Sequence, residues 1–339
     1  MTKILKYLIL FIIVLAVSSC QKEESLRPES VVIVEDVHES EFDKWLYENF
    51  TKPYNIQVKW KWDDNEVDNT FHVIPPIKQQ AEYFAKALLE IWIKPYEAEA
   101  GPEFVKRYTP KLIYLLGTPQ FNDDGSMTVG LAEGGRKVTV FDVNRFDPTN
   151  LVNMSKHLHT MHHEFAHILH QKVLFSNDYK DISKGAYTGA WINVGAVDAN
   201  ALGFITPYSM SKDVEDWVEI VATMLTHVEH SNTPISVEAP LYDENGKIQY
   251  NTDGKMIRTI KKLSQWEGLI DGIGVYRDAT LNKYVQHPQG PEGKNKIRKK
   301  VGIIKDYYKS VWQMDLTRLQ KRIETASLKF IEEKKEEDE

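Results

Sequence analysis

Six of the chain's eleven histidines fall between residues 157 and 170: His157, His159, His162, His163, His167 and His170. Among them stands His163-Glu164-Phe165-Ala166-His167, an H-E-x-x-H string. On a helix, residues four apart share a face and lie about 6 Å apart along the axis. Both imidazoles can therefore reach a single zinc ion. Glu164 sits beside them, placed to take a proton from a water that the metal has acidified. The apolar neighbours Phe165, Ala166, Ile168 and Leu169 supply the packing that a buried helix needs.

A zinc site of this kind needs a third protein ligand. His170 lies on a similar face, but on a straight helix it stands about 10 Å from His163 along the axis. The glycine bend that returns a distal histidine to the ion in H-E-x-x-H-x-x-G-x-x-H proteases is absent, because Gln171 and Lys172 follow His170. His170 is thus expected around the site or in packing rather than on the ion. Glu215-Asp216-Trp217-Val218-Glu219 offers two more acids four apart, so Glu215 and Glu219 can both face the histidine helix. Asp216 is rotated away from that face.

The elements that must position these groups follow an α+β order. Ser40–Phe50 carries Phe42, Trp45, Leu46 and Phe50 at helical spacing, with Ser40 as N-cap. Ile56–Trp62 alternates like a strand. Lys78–Tyr96 has one apolar helical side. Lys111–Leu116, Met127–Leu131 and Lys137–Val143 read as strands, the last two joined through Gly134-Gly135. A helix is expected over Val152–Leu174, loops over Ser176–Tyr208, and a second helix over Lys212–Glu229. Glu244-Asn245-Gly246-Lys247 and Thr252-Asp253-Gly254-Lys255 read as hairpin turns. The basic run Lys294–Lys300 reads as a loop leading into one long helix, Val301–Phe330, and Glu332–Glu339 as a solvated charged tail.

The N-terminus carries a different signal. Lys3 and Lys6 precede the apolar run Tyr7–Val17, then Ser18, Ser19 and Cys20. A basic start, a short apolar core and small residues form a secretory signal. Val17-Ser18-Ser19-Cys20 resembles the bacterial lipobox, in which the cysteine is lipidated and becomes the first residue. The mature chain would then begin at Cys20, near a charge of −9, held to a membrane by acyl chains. The organisation expected is a signal segment at 1–19, a tether at 20–40, an N-terminal α/β part with an edge strand at 41–150, zinc-site helices at 151–230, a hairpin insertion and C-terminal helical part at 231–334, and a tail at 335–339.

Composition narrows the classes. The 339 residues include 42 basic and 49 acidic ones, a net charge of −7, with 42% hydrophobic residues. Such a chain can bury a core and has no basic stripe for nucleic acid. One cysteine excludes internal disulfides and Cys-rich zinc sites. No P-loop string occurs, and Gly272-Ile273-Gly274 lacks the setting of a dinucleotide fold.

H-E-x-x-H followed on a later helix by E-x-x-x-[D/E] resembles the gluzincin metallopeptidases. The resemblance implies that Glu215 is the third zinc ligand and that Glu219 orients a histidine ligand. It also points to Tyr208, seven residues before Glu215, as a donor to the oxyanion. The lipobox, the two helical motifs and the later Tyr307, Tyr308 and Trp312 together resemble the substrate import-associated zinc metallohydrolase lipoproteins. That likeness departs at Trp217-Val218, where Phe-Ala is expected. It implies an α+β, zincin-like fold with a small mixed sheet, an H-E-x-x-H helix and a mainly helical C-terminal half. It further implies a Zn2+ cofactor, a peptide, protein or glycoprotein substrate, a lipid-anchored place on the outer membrane and an importer as neighbour. An extended substrate would pair with a strand edge, offered by Lys137–Val143 or Met127–Leu131. The rival reading is a surface lipoprotein that binds glycan or protein without catalysis, around a structural zinc or none. Trp60, Trp62, Trp92 and Trp191 would serve it as stacking platforms.

Overall fold

In the computed structural model, the residues described are 40–226 apart from 69 and 124, the segments 236–240, 247, 249–255, 257–262, 270 and 275–278, and 283–338. The lipobox with Cys20, residues 21–39 of the tether, most of the first hairpin turn and Gly272-Ile273-Gly274 lie outside them. The molecule is a mixed α+β structure with one small mixed sheet and a helical C-terminal half. Residues Glu41–Glu339 form one unit.

The chain enters through α1 (Glu41–Leu46), which passes into a π turn at Tyr47–Thr51 and buries Phe42, Leu46 and Phe50. The four-stranded sheet holds β1 (Gln57–Lys59), β2 (Leu112–Leu115), β5 (Gly130–Glu133) and β6 (Lys137–Val140), in the order β1-β2-β6-β5. β1, β2 and β6 run parallel, and β5 is antiparallel to β6 at one edge. Central positions such as Ile113, Leu115, Val138 and Val140 are buried, as expected of β-branched and aliphatic residues in inner strands. β5 and β6 are joined by a tight turn in which Gly134 and Gly135 both take positive φ (58° and 68°), conformations that glycine adopts without strain.

The expected strand Met127–Leu131 is instead two elements. β4 (Met127–Thr128) pairs with β3 (Gln120–Phe121), and β5 then pairs with β6. The change of partner at Val129 splits the run. Likewise Ile56–Trp62 contributes only three residues of strand. The expected helix Lys78–Tyr96 is α2 (Lys78–Ala87), continued through a π turn (Leu88–Ile93) into Lys94–Ala100.

Across the sheet lies α3 (Leu151–Lys172). Its N-cap is Asn150, whose side-chain oxygen accepts from the Asn153 N–H at 3.1 Å. Met154, Leu158, Met161, Phe165, Ile168 and Leu169 recur every three or four residues and fill the core. The opposite side carries His159, His163 and His167. The stretch expected as loop holds two short helices, α4 (Asn177–Ile182) and α5 (Ala196–Leu202). Then comes α6 (Asp213–Thr226), packed along α3. Asp213, Glu215 and Asp216 in its first turn suit the positive end of the helix dipole.

The single long C-terminal helix is two helices: α7 (Gly290–Trp312) and α8 (Leu316–Asp338). Gln313 turns left-handed (φ 55°), and Asp315 Oδ1 accepts from the N–H groups of Thr317 and Arg318 at 2.9 and 3.0 Å, capping α8. The basic run Lys294–Lys300 lies inside α7 rather than in a loop. The expected tail is also helical to Asp338, and Lys334 is buried beside the rings of Tyr83 and Phe330. The second hairpin turn is present: Gly254 N–H donates to Asn251 O at 3.0 Å with Gly254 at φ 71°. No helix among the described residues is long and apolar enough to cross a membrane.

Candidate metal centre

Helix periodicity and the docking of α6 on α3 bring the sequence-predicted groups together. Glu215 Oε2 stands 3.2 Å from His163 Nε2 and 3.3 Å from His167 Nε2. Ligands about 2.1 Å from a tetrahedral zinc ion lie about 3.4 Å from one another, so two imidazole nitrogens and one carboxylate oxygen have the spacing and chemistry of a zinc triad. The other nitrogen of the shared ring faces elsewhere. His163 Nδ1 is 2.9 Å from Glu219 Oε1, and the same oxygen is 3.0 Å from His159 Nε2. Thr206 Oγ1 donates to Glu219 Oε2 at 2.8 Å.

Two groups of three donors thus share His163: His163, His167 and Glu215, and His159, His163 and Glu219. The second has hydrogen-bond spacing, and its carboxylate is engaged on both oxygens. The first has the spacing of ligands around an ion. A hydrogen bond from His163 Nδ1–H to Glu219 also leaves the Nε2 lone pair for a metal.

The electrostatics follow from burial and pairing. Burial alone would lower the His163 pKa, but hydrogen bonds to Glu215 and Glu219 outweigh it and raise it to about 10. Burial would likewise raise the two carboxylates, yet the imidazoles hold Glu215 and Glu219 well below the usual glutamate range. Glu164 is buried, and burial pushes its carboxyl above the usual range against the pull of His163 and His167. The backbone N–H of Ala132, on edge strand β5, donates to it. Tyr208 sits with its ring 6.1 Å from that of His163 and is raised further above the ordinary phenol range by burial and by Glu215, so it stays protonated at neutral pH.

The His170 ring stands 6.1 Å from that of His167 and packs on Phe175 at 5.3 Å. Asp216 points the other way and pairs with Lys300 Nζ at 2.6 Å. Of the four tryptophans weighed as stacking platforms, Trp92 is wholly buried. Trp60 donates to Asp43 and Trp62 to Asp64, while Trp191 packs edge-on against Tyr208 at 5.0 Å.

Two features escaped the sequence reading. His159 stands one turn before His163, in the same register that linked His163 to His167, and that spacing was the available signal. Gly130 was the other. A Cβ there would lie 2.1 Å from Thr160 Cγ2 and 3.3 Å from Glu164 Oε1, so only glycine lets β5 approach the helix this closely. Gly130→Ala is expected to cost about 1–3 kcal/mol through overpacking. Adding Thr160→Ser, which removes the obstructing methyl, should return most of that loss. Equilibrium denaturation of the two variants checks this, and a double variant no more stable than the single one refutes the contact.

Residues 35–317 match the model of a family described as putative zinc-binding metallo-peptidase. Among solved structures, the chain is similar to a putative zinc-binding metallo-peptidase from Bacteroides caccae. The two are 34% identical, the match covers 86% of this chain and 93% of that one, and the TM-score is 0.61. No curated protein matches.

Proposed function

The chain belongs to the putative zinc-binding metallo-peptidase family, and from that premise we propose that it is a zinc-dependent peptidase of gluzincin type, with His163, His167 and Glu215 as the ligands. One observation carries this reading. The Oε2 atom of Glu215 lies 3.2 and 3.3 Å from the Nε2 atoms of two histidines in an H-E-x-x-H helix. Zinc held there supplies Lewis acidity to a water and to a scissile carbonyl.

The protein's own groups do the rest. Glu164, aimed into the same cleft, accepts the proton of the attacking water and returns it to the leaving amine. Tyr208, a protonated phenol beside the triad, donates to the developing oxyanion. Glu219 takes the Nδ1–H of His163 and fixes its tautomer and orientation. His159 and Thr206 hold Glu219 in turn. We further propose lipidation at Cys20, an outer-membrane location facing the surface or the periplasm, and service beside a nutrient importer. These rest on Val17-Ser18-Ser19-Cys20 and on the family resemblance.

The test is metal analysis of purified protein with a broad peptide-library digest. One zinc per chain and cleavage that a chelator abolishes and added zinc restores are expected. Zinc with no cleavage would instead favour the binding lipoprotein. A metal that survives Glu215→Ala but not His159→Ala would move the ion to the second group of donors.

A further inference from the structure

The walls around the triad carry a second message. A cleft of about 430 Å³ opens over His163 and Glu164. Its lining includes the apolar pair Met127 and Val129 and the aromatic pair Trp191 and Tyr208. Met127 is 54% exposed and Val129 42%. Phe121, which pairs with Met127 across β3 and β4, is 61% exposed, and Ile192 beside Trp191 is 54% exposed. Exposed Met127 and Val129 thus line the cleft, with exposed Phe121 and Ile192 next to its lining residues, an arrangement that marks recognition surfaces.

Charge is confined to the floor. Among the described residues, the only ionisable acids and bases lining the cleft, apart from the phenol of Tyr208, are His159, His163, Glu164 and Glu219, and each already has a partner. The polar wall groups, such as Asn122, Ser126 and Thr128, are neutral. An ionised side chain set between these walls would lose water without gaining a counter-charge. An apolar one would cover Met127 and Val129 against the Trp191–Tyr208 pair, which is itself held edge to face.

We infer that this cleft selects polypeptide segments carrying a large apolar or aromatic side chain next to the bond that is cut. The inference rests on the peptidase reading above for the cutting, but not for the selection, which is a property of the walls.

The experiment therefore has a cleavage arm and a binding arm. In the first, wild-type protein and Met127→Lys digest the same peptide library. Met127 is exposed at the end of a two-residue strand, so the substitution leaves the core untouched. Wild-type protein should cut beside Phe, Leu or Met about tenfold or more over Asp or Lys, the discrimination an apolar pocket delivers. Met127→Lys should lose that preference and gain cleavage beside Asp and Glu. In the second arm, zinc-loaded Glu164→Gln is titrated with fluorescent peptides that differ by one Phe→Asp exchange, and the Phe peptide should bind about tenfold tighter.

Cleavage without side-chain preference, or identical wild-type and Met127→Lys profiles, overturns the inference and spares the peptidase reading. No cleavage combined with selective binding of the Phe peptide does the reverse. No cleavage and no selective binding, or binding of an oligosaccharide in place of peptide, overturns the inference as well.

Discussion

Replacing Glu164 by Gln is expected to lower peptide hydrolysis roughly 100- to 10,000-fold, the contribution of a general base, while one zinc ion per chain stays bound. The two side chains have the same shape, so the buried site should not rearrange. Gln can still accept from the Ala132 N–H that Glu164 now accepts from. What it cannot do is take a proton. Glu164 also lies outside the group of His163, His167 and Glu215 atoms that stand within 4.8 Å of one another, so the metal should be indifferent to the change. Single-turnover hydrolysis and metal stoichiometry on the same sample separate these effects. Undiminished turnover would remove Glu164 from the chemistry. Loss of zinc along with activity would place its carboxylate among the ligands.

The largest effect on stability should come from Lys300→Met. Lys300 and Asp216 are both 0% exposed and 2.6 Å apart, with Lys300 Nζ also donating to Gly203 O at 2.7 Å and lying 4.3 Å from the Phe204 ring centre. Tyr187 donates to Asp216 at 3.0 Å. Removing the cation leaves a buried carboxylate without its counter-charge, which costs about 3–5 kcal/mol. The pH dependence carries a definite sign. Burial pushes Asp216 up to about 6 even with Lys300 beside it, and without the cation it rises further. Its raised pKa means that the folded variant binds a proton more readily than the unfolded chain. Stability is thus retained at low pH and lost as pH rises through the folded value. The gap between wild-type and variant should be wide at pH 8 and narrow towards pH 5. Chemical denaturation at both pH values measures it. The double variant Lys300→Met with Asp216→Asn should recover most of the loss. A gap that does not change with pH would mean that lost packing, and not an orphaned charge, is the cause.

The readable and unreadable parts of this molecule divide along physical lines. His163, Glu164 and His167 could be found because helical spacing alone brings them together, and Glu215 with Glu219 because they repeat that spacing on a second helix. The tight turn at Gly134-Gly135 was legible for a similar local reason. The break between α7 and α8 was not: Ile304, Tyr307, Tyr308, Val311, Trp312 and Leu316 keep an apolar stripe running across it, and glutamine is an unusual residue for a left-handed stop. The π turns at Tyr47–Thr51 and Leu88–Ile93 leave no mark in an apolar pattern. Gly130 and the Lys300–Asp216 pair depend on which elements meet in space. A glycine in a short strand, or a lysine in a basic run, shows nothing of that until the chain is folded.

The three candidate ligands are not available together at every stage of the chain's life. Any stretch of α3 that coils into a helix offers His163 and His167 as a ready pair, but the carboxylate lies 48 residues further on, at the start of α6. An ion captured by the pair alone would be loosely held until the second helix supplied its carboxylate. Metal uptake would then ratify the seam between α3 and α6 as one of the last joints to close. Stripping the ion should loosen that seam first, with the sheet and its buried strands staying put.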